Sequence, residues 1–434
     1  MSTAIAHYQS EFERLGSLLP WQGSPQWQEW RQSGWARFAA QGFPTTRHEE
    51  WKYTSLATLE KLALSCAPVA AEASGLTWDS LQARVLLPQA RYRAVFVDGR
   101  FAPQLSRLDG LPAGIALRPL STLSAQDSIG LQASLQAVRA RTPFAALNAA
   151  FMADGAWITA AAEASLDDPL LILYVTTGGG QAQHVVNAYD LEPGGRVAVA
   201  EQYLGLTDEP YFVNQVTGVR LASGAQLHHV KLQQEGARAY HIGALQASQQ
   251  RDSRFESHAF ALSGAFGRND IETALREPGA AVVMNGLYRV AGREFQDFHT
   301  CIRHESPDCS SDEYFKGVLD GSGRAVFNGK IVVAQDAQHT ASRQSNHNLL
   351  LSDQAEVDTK PQLEIFADDV KCSHGATVGQ LDDDQWFYLR SRGLDPDHAR
   401  TLLIEAFSLD LLSSIGHAEL RAAMDHVMRG PGHV

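Results

Sequence analysis

Apolar and polar positions follow different rhythms along this chain. In the first segment of about 65 residues the spacing predicts helices: Ser24-Pro25 supplies a cap with a favoured first-turn proline, and Gly42 with Pro44 closes the segment. Trp27, Trp30 and Phe38 fall on one packed face. The run from Ala90 to Phe101 then reads as strand, Asp98-Gly99 turn and strand, and a helix returns between Pro143 and Met152. Residues 1–155 are therefore expected to form a mixed, partly helical N-terminal region.

From Trp157 to Val378 the rhythm changes. Short runs rich in Val, Ile, Leu, Tyr and Phe are separated by Gly, Asn, Asp and Ser, with hardly a helical period between them. Leu170 to Val175, Arg196 to Leu204, Gln226 to Leu232, Ala280 to Val290, Ala325 to Ala334 and Leu363 to Ala367 are examples. Roughly 200 residues of short strands exceed an ordinary sandwich and leave a propeller, a large barrel or a solenoid. No WD or kelch-like spacing occurs, so the preferred reading of 156–380 is a β-helix with non-identical coils, since the regular hexapeptide signature is also missing.

After residue 380 the period becomes helical again. Asp395-Pro396 is a cap and first turn, and Ala399, Leu402, Leu403, Ala406 and Phe407 form a stripe at i, i+3, i+4, i+7 and i+8. Leu409, Leu411, Leu412 and Ile415 widen it, and a second helix around Ala418 to Met428 carries Leu420, Met424, Val427 and Met428. One reading docks this tail, 381–434, on its own domain. The other makes it a partner-binding surface, because about 50 residues supply too little core to bury so wide a stripe.

Composition narrows the partners. The 434 residues are 44% hydrophobic and 20% charged, an ordinary globular balance, and the net charge of -13 without any Lys/Arg run argues against nucleic acid. The N-terminus lacks the basic start and continuous apolar stretch of a signal peptide, and no run reaches the ~20 apolar residues that cross a bilayer. A cytosolic protein is expected, with Cys66, Cys301, Cys309 and Cys372 as reduced thiols.

Metal-capable side chains concentrate in two places. In Asp368 to Gly379, Cys372 and His374 sit two residues apart, so on a strand they project from one face, and the glycines after them read as turn chemistry. Leu363, Ile365 and Ala367 suggest an extended approach to the pair. Two ligands are half a metal site, and a buried inert pair is the competing reading. The second place holds His299, Cys301, His304 and Cys309 without the spacing of a structural zinc site, so hydrogen bonding and packing are the expected roles. Asn346-His347-Asn348 and His339 are read as polar side chains stacked between coils. Gly323 to Ile331 lacks the glycine and hydroxyl of a phosphate loop, and no GxSxG, HExxH or dinucleotide fingerprint occurs, so neither catalytic residues nor a nucleotide site is expected. Asp382-Asp383-Asp384 reads as a helix start.

Several segments together resemble a known family. Arg47-His48-Glu49-Glu50-Trp51-Lys52-Tyr53-Thr54, Ala325-Val326-Phe327-Asn328-Gly329-Lys330, Asn346 to Leu350, Glu356 to Ile365, the Cys372-Ser373-His374-Gly375-Ala376-Thr377-Val378-Gly379 motif and Phe387 to Gly393 are similar to the SufB/SufD scaffold proteins of the SUF iron-sulfur cluster assembly system. Gly375 stands where SufB-type sequences tend to carry Glu, so the likeness is to the SufD side of that pair. The resemblance implies a mainly β fold, a right-handed parallel β-helix flanked by helical regions. It implies a non-enzymatic scaffold that pairs with a SufB-like paralogue, binds a SufC-like ATPase through its C-terminal helices, and holds a transient cluster at the subunit junction. By position His374 is the implicated residue, with Cys372 beside it. Flavin participation and homodimer formation by the lone chain stay open, and a stand-alone cytosolic metal-binding β-helix protein or enzyme is the alternative.

Overall fold

The computed structural model describes residues 3–16, 18–66, 75–139 and 142–430. Strands dominate, and they build two sheets of ten strands each. From Asp154 onward, successive strands alternate between the sheets, and within each sheet the neighbours along this run are parallel. The chain therefore winds as a flattened parallel solenoid of about 8 turns, with N- and C-terminal helices.

Register shows how one coil is laid on the next. Arg254 pairs with Ala281, Ala281 with Ser310, Ser310 with Ala341 and Ala341 with Lys371, so successive coils take 27, 29, 31 and 30 residues. In-register stacking repeats one side-chain position at the strand spacing of about 4.8 Å. The ring centroids of Phe96, Tyr174 and Tyr203 accordingly stack at 4.8 and 4.9 Å. Gly155 marks a close approach: at φ 153° a Cβ there would lie 1.7 Å from the Val186 carbonyl oxygen of the next strand.

Alternate residues of each strand face the space between the sheets, where Val199, Tyr203, Leu227, Phe255, Val282, Phe298, Phe315, Phe327 and Ile331 form one continuous core. The opposite faces are covered by helices. Thr3–Leu15, Pro25–Gln41, Ile129–Arg139 and Pro143–Phe151 lie over the first sheet, with Trp27, Trp30, Phe38 and Phe151 buried. The C-terminal helices lie over the second sheet, where Ile404, Leu411, Leu412, Leu420, Met424 and Met428 pack on Val230, Phe260, Leu287 and Val318.

The helical starts and stops fall close to their sequence signals. Pro25 opens its helix after Ser24 and Gly42 ends it at φ 67°; Thr142 caps Pro143–Phe151, Asp382 caps Asp383–Ser391 and Asp395 caps Pro396–Leu409. The hairpin Arg93–Val97 and Arg100–Phe101 turns at Asp98-Gly99 and joins the second sheet through Leu170–Thr176. Helical texture does not persist through the first 65 residues. Beyond Gln41 the chain runs as short 3-10 turns, because Trp51 and Thr54 dock on the solenoid instead of on one another.

Two local expectations change. Leu363 to Ala367 is not the approach strand of the Cys372/His374 motif: the strand Glu356–Ile365 belongs to the first sheet, and the chain crosses to the second before Lys371. Gly375 and Gly379 do not turn the chain; they lie within the strand Lys371–Gly379, whose backbone is held by the parallel partner Ala341–Leu350. Tertiary pairing overrides the local turn signal of glycine.

Candidate functional site at the open end of the solenoid

The strands Glu356–Ile365 and Lys371–Gly379 each terminate their sheet, so the last coil presents two edges unpaired among the described residues. Such edges are ready templates for another chain. Ile365, Phe366 and Val378 stand exposed around them, Phe366 by 63%.

Cys372 and His374 share a face of Lys371–Gly379, as strand parity requires. Cys372 is in register with Ser342 and His374 with Gln344, both buried side chains of the solenoid interior, so the pair continues the interior rows onto the open end. His374 is exposed. Cys372 is half-buried against the core, and burial raises its thiol pKa, partly offset by a backbone hydrogen bond at Ser342. The thiol is therefore protonated at neutral pH.

Beneath the pair lies a polar floor, of which the sequence offered Asn346 and Asn348 but not Glu313, Gln344, Ser311 or Ser342. Gln344 donates Nε2 to Glu313 at 2.5 Å, and both side chains are fully buried. Burial pushes the Glu313 carboxyl up to about 7 against the opposing hydrogen bonds of Gln344 and Thr300. Ser311 and Ser342 hydroxyls lie 2.7 Å apart, with His304 Nε2 2.9 Å from Ser311 Oγ. Asn348 donates to Asn346 at 2.6 Å and Thr359 donates to the same oxygen at 2.9 Å, so Asn346 and Asn348 stack polar groups inside the solenoid. His347 projects instead to the outer face beside Tyr314, and His339 sits in a turn between Asp308 and Asp369.

The second group of metal-capable residues does not converge. His299 and Cys301 face outward from Phe295–His304, whereas His304 is an interior residue and Cys309 is buried in the core with Sγ donating to the Glu277 carbonyl. Burial lowers His304 to about 4, which keeps it neutral, and raises the Cys309 thiol. His299 belongs to an ionic cluster. Burial alone would lower its pKa, but the Asp297 carboxylate at 3.1 Å, with Glu50, raises it to about 9. Arg268 bridges Asp270 and Asp297 at 2.7 Å each and lies 3.9 Å from the Trp51 ring, while Thr54 donates to Asp297 at 2.6 Å. Among the described residues no group of three or more His, Cys, Asp or Glu side chains is arranged to hold a metal ion.

The tail stripe splits between two environments. Ala399 is buried, Leu403 and Phe407 are half-buried, and Leu402 and Ala406 are exposed, as are Phe387 and Tyr388 on the preceding helix; Ile404, outside the stripe, is buried. Lys316 anchors the tail by donating to the Phe407 carbonyl at 2.7 Å and pairing with Asp410 at 2.8 Å. No helix among the described residues is long and apolar enough to cross a membrane.

The structure is thus a parallel solenoid with helices on both faces, whose terminal coil carries a thiol and an imidazole. Comparison with known proteins specifies the class. The core-domain model of SUF-system FeS cluster assembly proteins matches residues 174–407, and the SufBD N-terminal region matches 2–172. The chain is 34% identical over 424 residues to the iron-sulfur cluster assembly protein SufD of Escherichia coli, covering 95% of this chain and 93% of that one. It is 33% identical over 393 residues to an iron-sulfur cluster assembly SufBD family protein of Synechocystis, covering 88% and 86% of the two chains. It is 26% identical to the Bacillus subtilis SufD over 62% of each chain. This chain belongs to the SufBD family of the SUF iron-sulfur cluster assembly system, and within it is SufD-like.

Proposed function

We propose that this chain is one half of a non-enzymatic, cytosolic scaffold on which an iron-sulfur cluster is assembled. Its open coil docks against a SufB-like paralogue, and its C-terminal helices dock against a SufC-like ATPase. The observation that carries this reading is the placement of Cys372 and His374 on the interior side of a strand whose free edge is unpaired among the described residues. A partner strand added there would close the sheet over the pair and bring its own ligands to the same junction. When the paralogue is absent, the same edge pairs two copies of this chain.

The ligand chemistry suits a cargo that must leave again. An imidazole and a thiol are borderline and soft ligands for iron and sulfide, and a site shared by two subunits opens when they separate. His374, exposed, can offer a ring nitrogen directly. Cys372 ligates only when an arriving metal displaces its proton, because burial holds the thiol protonated. The chain's residues bind and orient, and conformational work comes from the ATPase.

His374→Ala should leave the three-protein complex intact on anaerobic co-purification while iron and sulfide recovered with it fall several-fold; an unchanged cluster yield overturns the ligand role. Deleting the tail would also strip apolar cover from the second sheet, so the partner surface is tested by Leu402→Glu. That exposed position should lose ATPase binding in a pull-down with the unfolding midpoint unchanged, and full retention of binding would make the stripe internal packing alone.

A further inference from the structure

A second feature lies on the outer face of the first sheet. A cavity of about 340 Å³ is bounded by Glu50 and Trp51 on one side and by Thr142 and Pro143 on another. Its floor is the row Glu272, Cys301, Lys330 and Gln362, in register across four successive strands. Three segments singled out in the sequence therefore meet here, although they are far apart along the chain: Arg47 to Thr54, Ala325 to Lys330 and Glu356 to Ile365. The function proposed above uses none of their residues in this cavity.

The charges of the wall come in matched pairs. Arg303 donates Nε to Glu272 at 2.7 Å, Arg268 pairs with Asp270 at 2.7 Å and His299 Nδ1 lies 3.3 Å from Glu50, while Lys330 reaches outside the lining to Glu364 at 2.7 Å. A wall with both signs alternating favours a ligand that also carries both, over a simple anion or cation. Gln246 adds an acceptor: the side chain is 8% exposed, its Oε1 is buried without a hydrogen-bond partner among the described residues, and it lines the cavity. A buried acceptor in that state calls for an N–H from a ligand. Cys301 is partly exposed on the floor, beside Lys330 in register and two residues from Arg303. A thiol that reaches solvent exchanges with a disulfide through its thiolate, the form that attacks sulfur.

We propose that this cavity binds a small zwitterionic disulfide of the amino-acid or short-peptide class and exchanges it with Cys301. The Cys301 thiolate attacks one sulfur of the bound disulfide. The ligand S–S bond breaks as the Sγ–S bond forms, and the departing half leaves as a thiolate that takes up the proton Cys301 lost. Cys301 is oxidised to a mixed disulfide and the released half is reduced to a thiol, so no further oxidant is needed. The cavity volume lies at the lower end of the range for small-molecule sites, about 300 to 1,000 Å³.

The full chain provides its own reference, because Cys372 is also partly exposed but stands at the open coil. The rates of modification of both cysteines are measured by peptide mass mapping with glutathione disulfide, which is zwitterionic, and with hydroxyethyl disulfide, which is neutral. The preference for glutathione disulfide should be about tenfold greater at Cys301 than at Cys372, equivalent to about 1.4 kcal/mol of recognition. Lys330→Gln and Gln246→Leu should each reduce that excess while iodoacetamide still alkylates Cys301 at the wild-type rate. Equal preferences at the two cysteines, or a Cys301 that iodoacetamide cannot reach in the wild-type chain, overturn the proposal.

Discussion

His229 and His374 occupy the same row of the solenoid. Register runs Val199, His229, Ser257, Met284, Glu313, Gln344, His374, one residue per coil on the interior side of the second sheet. His229 is buried in mid-solenoid with both ring nitrogens engaged, Nδ1 3.1 Å from Ser257 Oγ and Nε2 3.3 Å from Glu201. His374 is exposed, at the last step of the row. A polar group inside must be satisfied or it destabilises the fold, so mid-solenoid chemistry is committed to structure. At the open end the same row meets solvent, and a side chain there keeps its ligand capacity for something that arrives later.

The widest separation between the two regions should come from Glu201. Its carboxylate accepts from Tyr189 and Tyr203 at 2.6 Å each and faces His229, with Lys231 close by. Burial alone would raise its pKa, yet hydrogen bonding and charge from His229, with Lys231, hold it down to about 2. Lys231, lowered by burial to about 8, donates to Gln215 and Asn269 at 2.8 Å. Glu201→Ala leaves several buried donors without their acceptor, and a loss of about 3 to 5 kcal/mol in urea unfolding at pH 7 is expected. Because the folded pKa lies below the unfolded one, this stabilisation is present above about 4.5 and is lost as pH falls toward 2. A loss under about 1 kcal/mol would mean that the interior network relaxes as readily as a surface one.

Glu313 reverses the sign and lies closer to the open end. Its folded pKa, pushed to about 7, exceeds the unfolded value, so the fold prefers the neutral acid. The carboxyl carries no penalty below about 4.5, becomes increasingly destabilising as pH rises through 7, and then levels off at up to about 3 kcal/mol. Glu313→Gln should therefore match the wild type near pH 4.5 and unfold at higher denaturant at pH 8. A difference that does not vary with pH would show that Glu313 is not held neutral by the interior.

Much of the architecture could be read from residue order, and the exceptions share physical causes. Short apolar runs located Arg196–Gly205, Ala281–Val290 and Arg324–Val333, and the helix Ala418–Met428 is bounded where its pattern begins and ends. Coil length was hidden because coils of 27 to 31 residues defeat a search for a fixed period. Which face is interior was hidden too, since Glu201, His229, Lys231, Glu313, Gln344, Asn346 and Asn348 point inward and break the apolar alternation. Strand parity did put Cys372 beside His374, but only the sheet order shows that their strand is terminal. The Arg268, Trp51, Asp297 and Thr54 cluster joins residues more than 200 positions apart, beyond any local pattern.

The smallest stability effect should come from the residue with the largest proposed role. His374→Ala removes an exposed ring from an end strand, and surface changes of this kind fall within about 0.5 kcal/mol. His229→Ala, on the same row five coils away, removes a buried ring that bridges Ser257 to Glu201, and should cost about 2 kcal/mol or more. Urea midpoints of the two variants, measured side by side, decide whether position along the row sets the role. If His374→Ala destabilises as much as His229→Ala, the open coil is packed as firmly as the interior, and its histidine belongs to the fold before it belongs to any ligand.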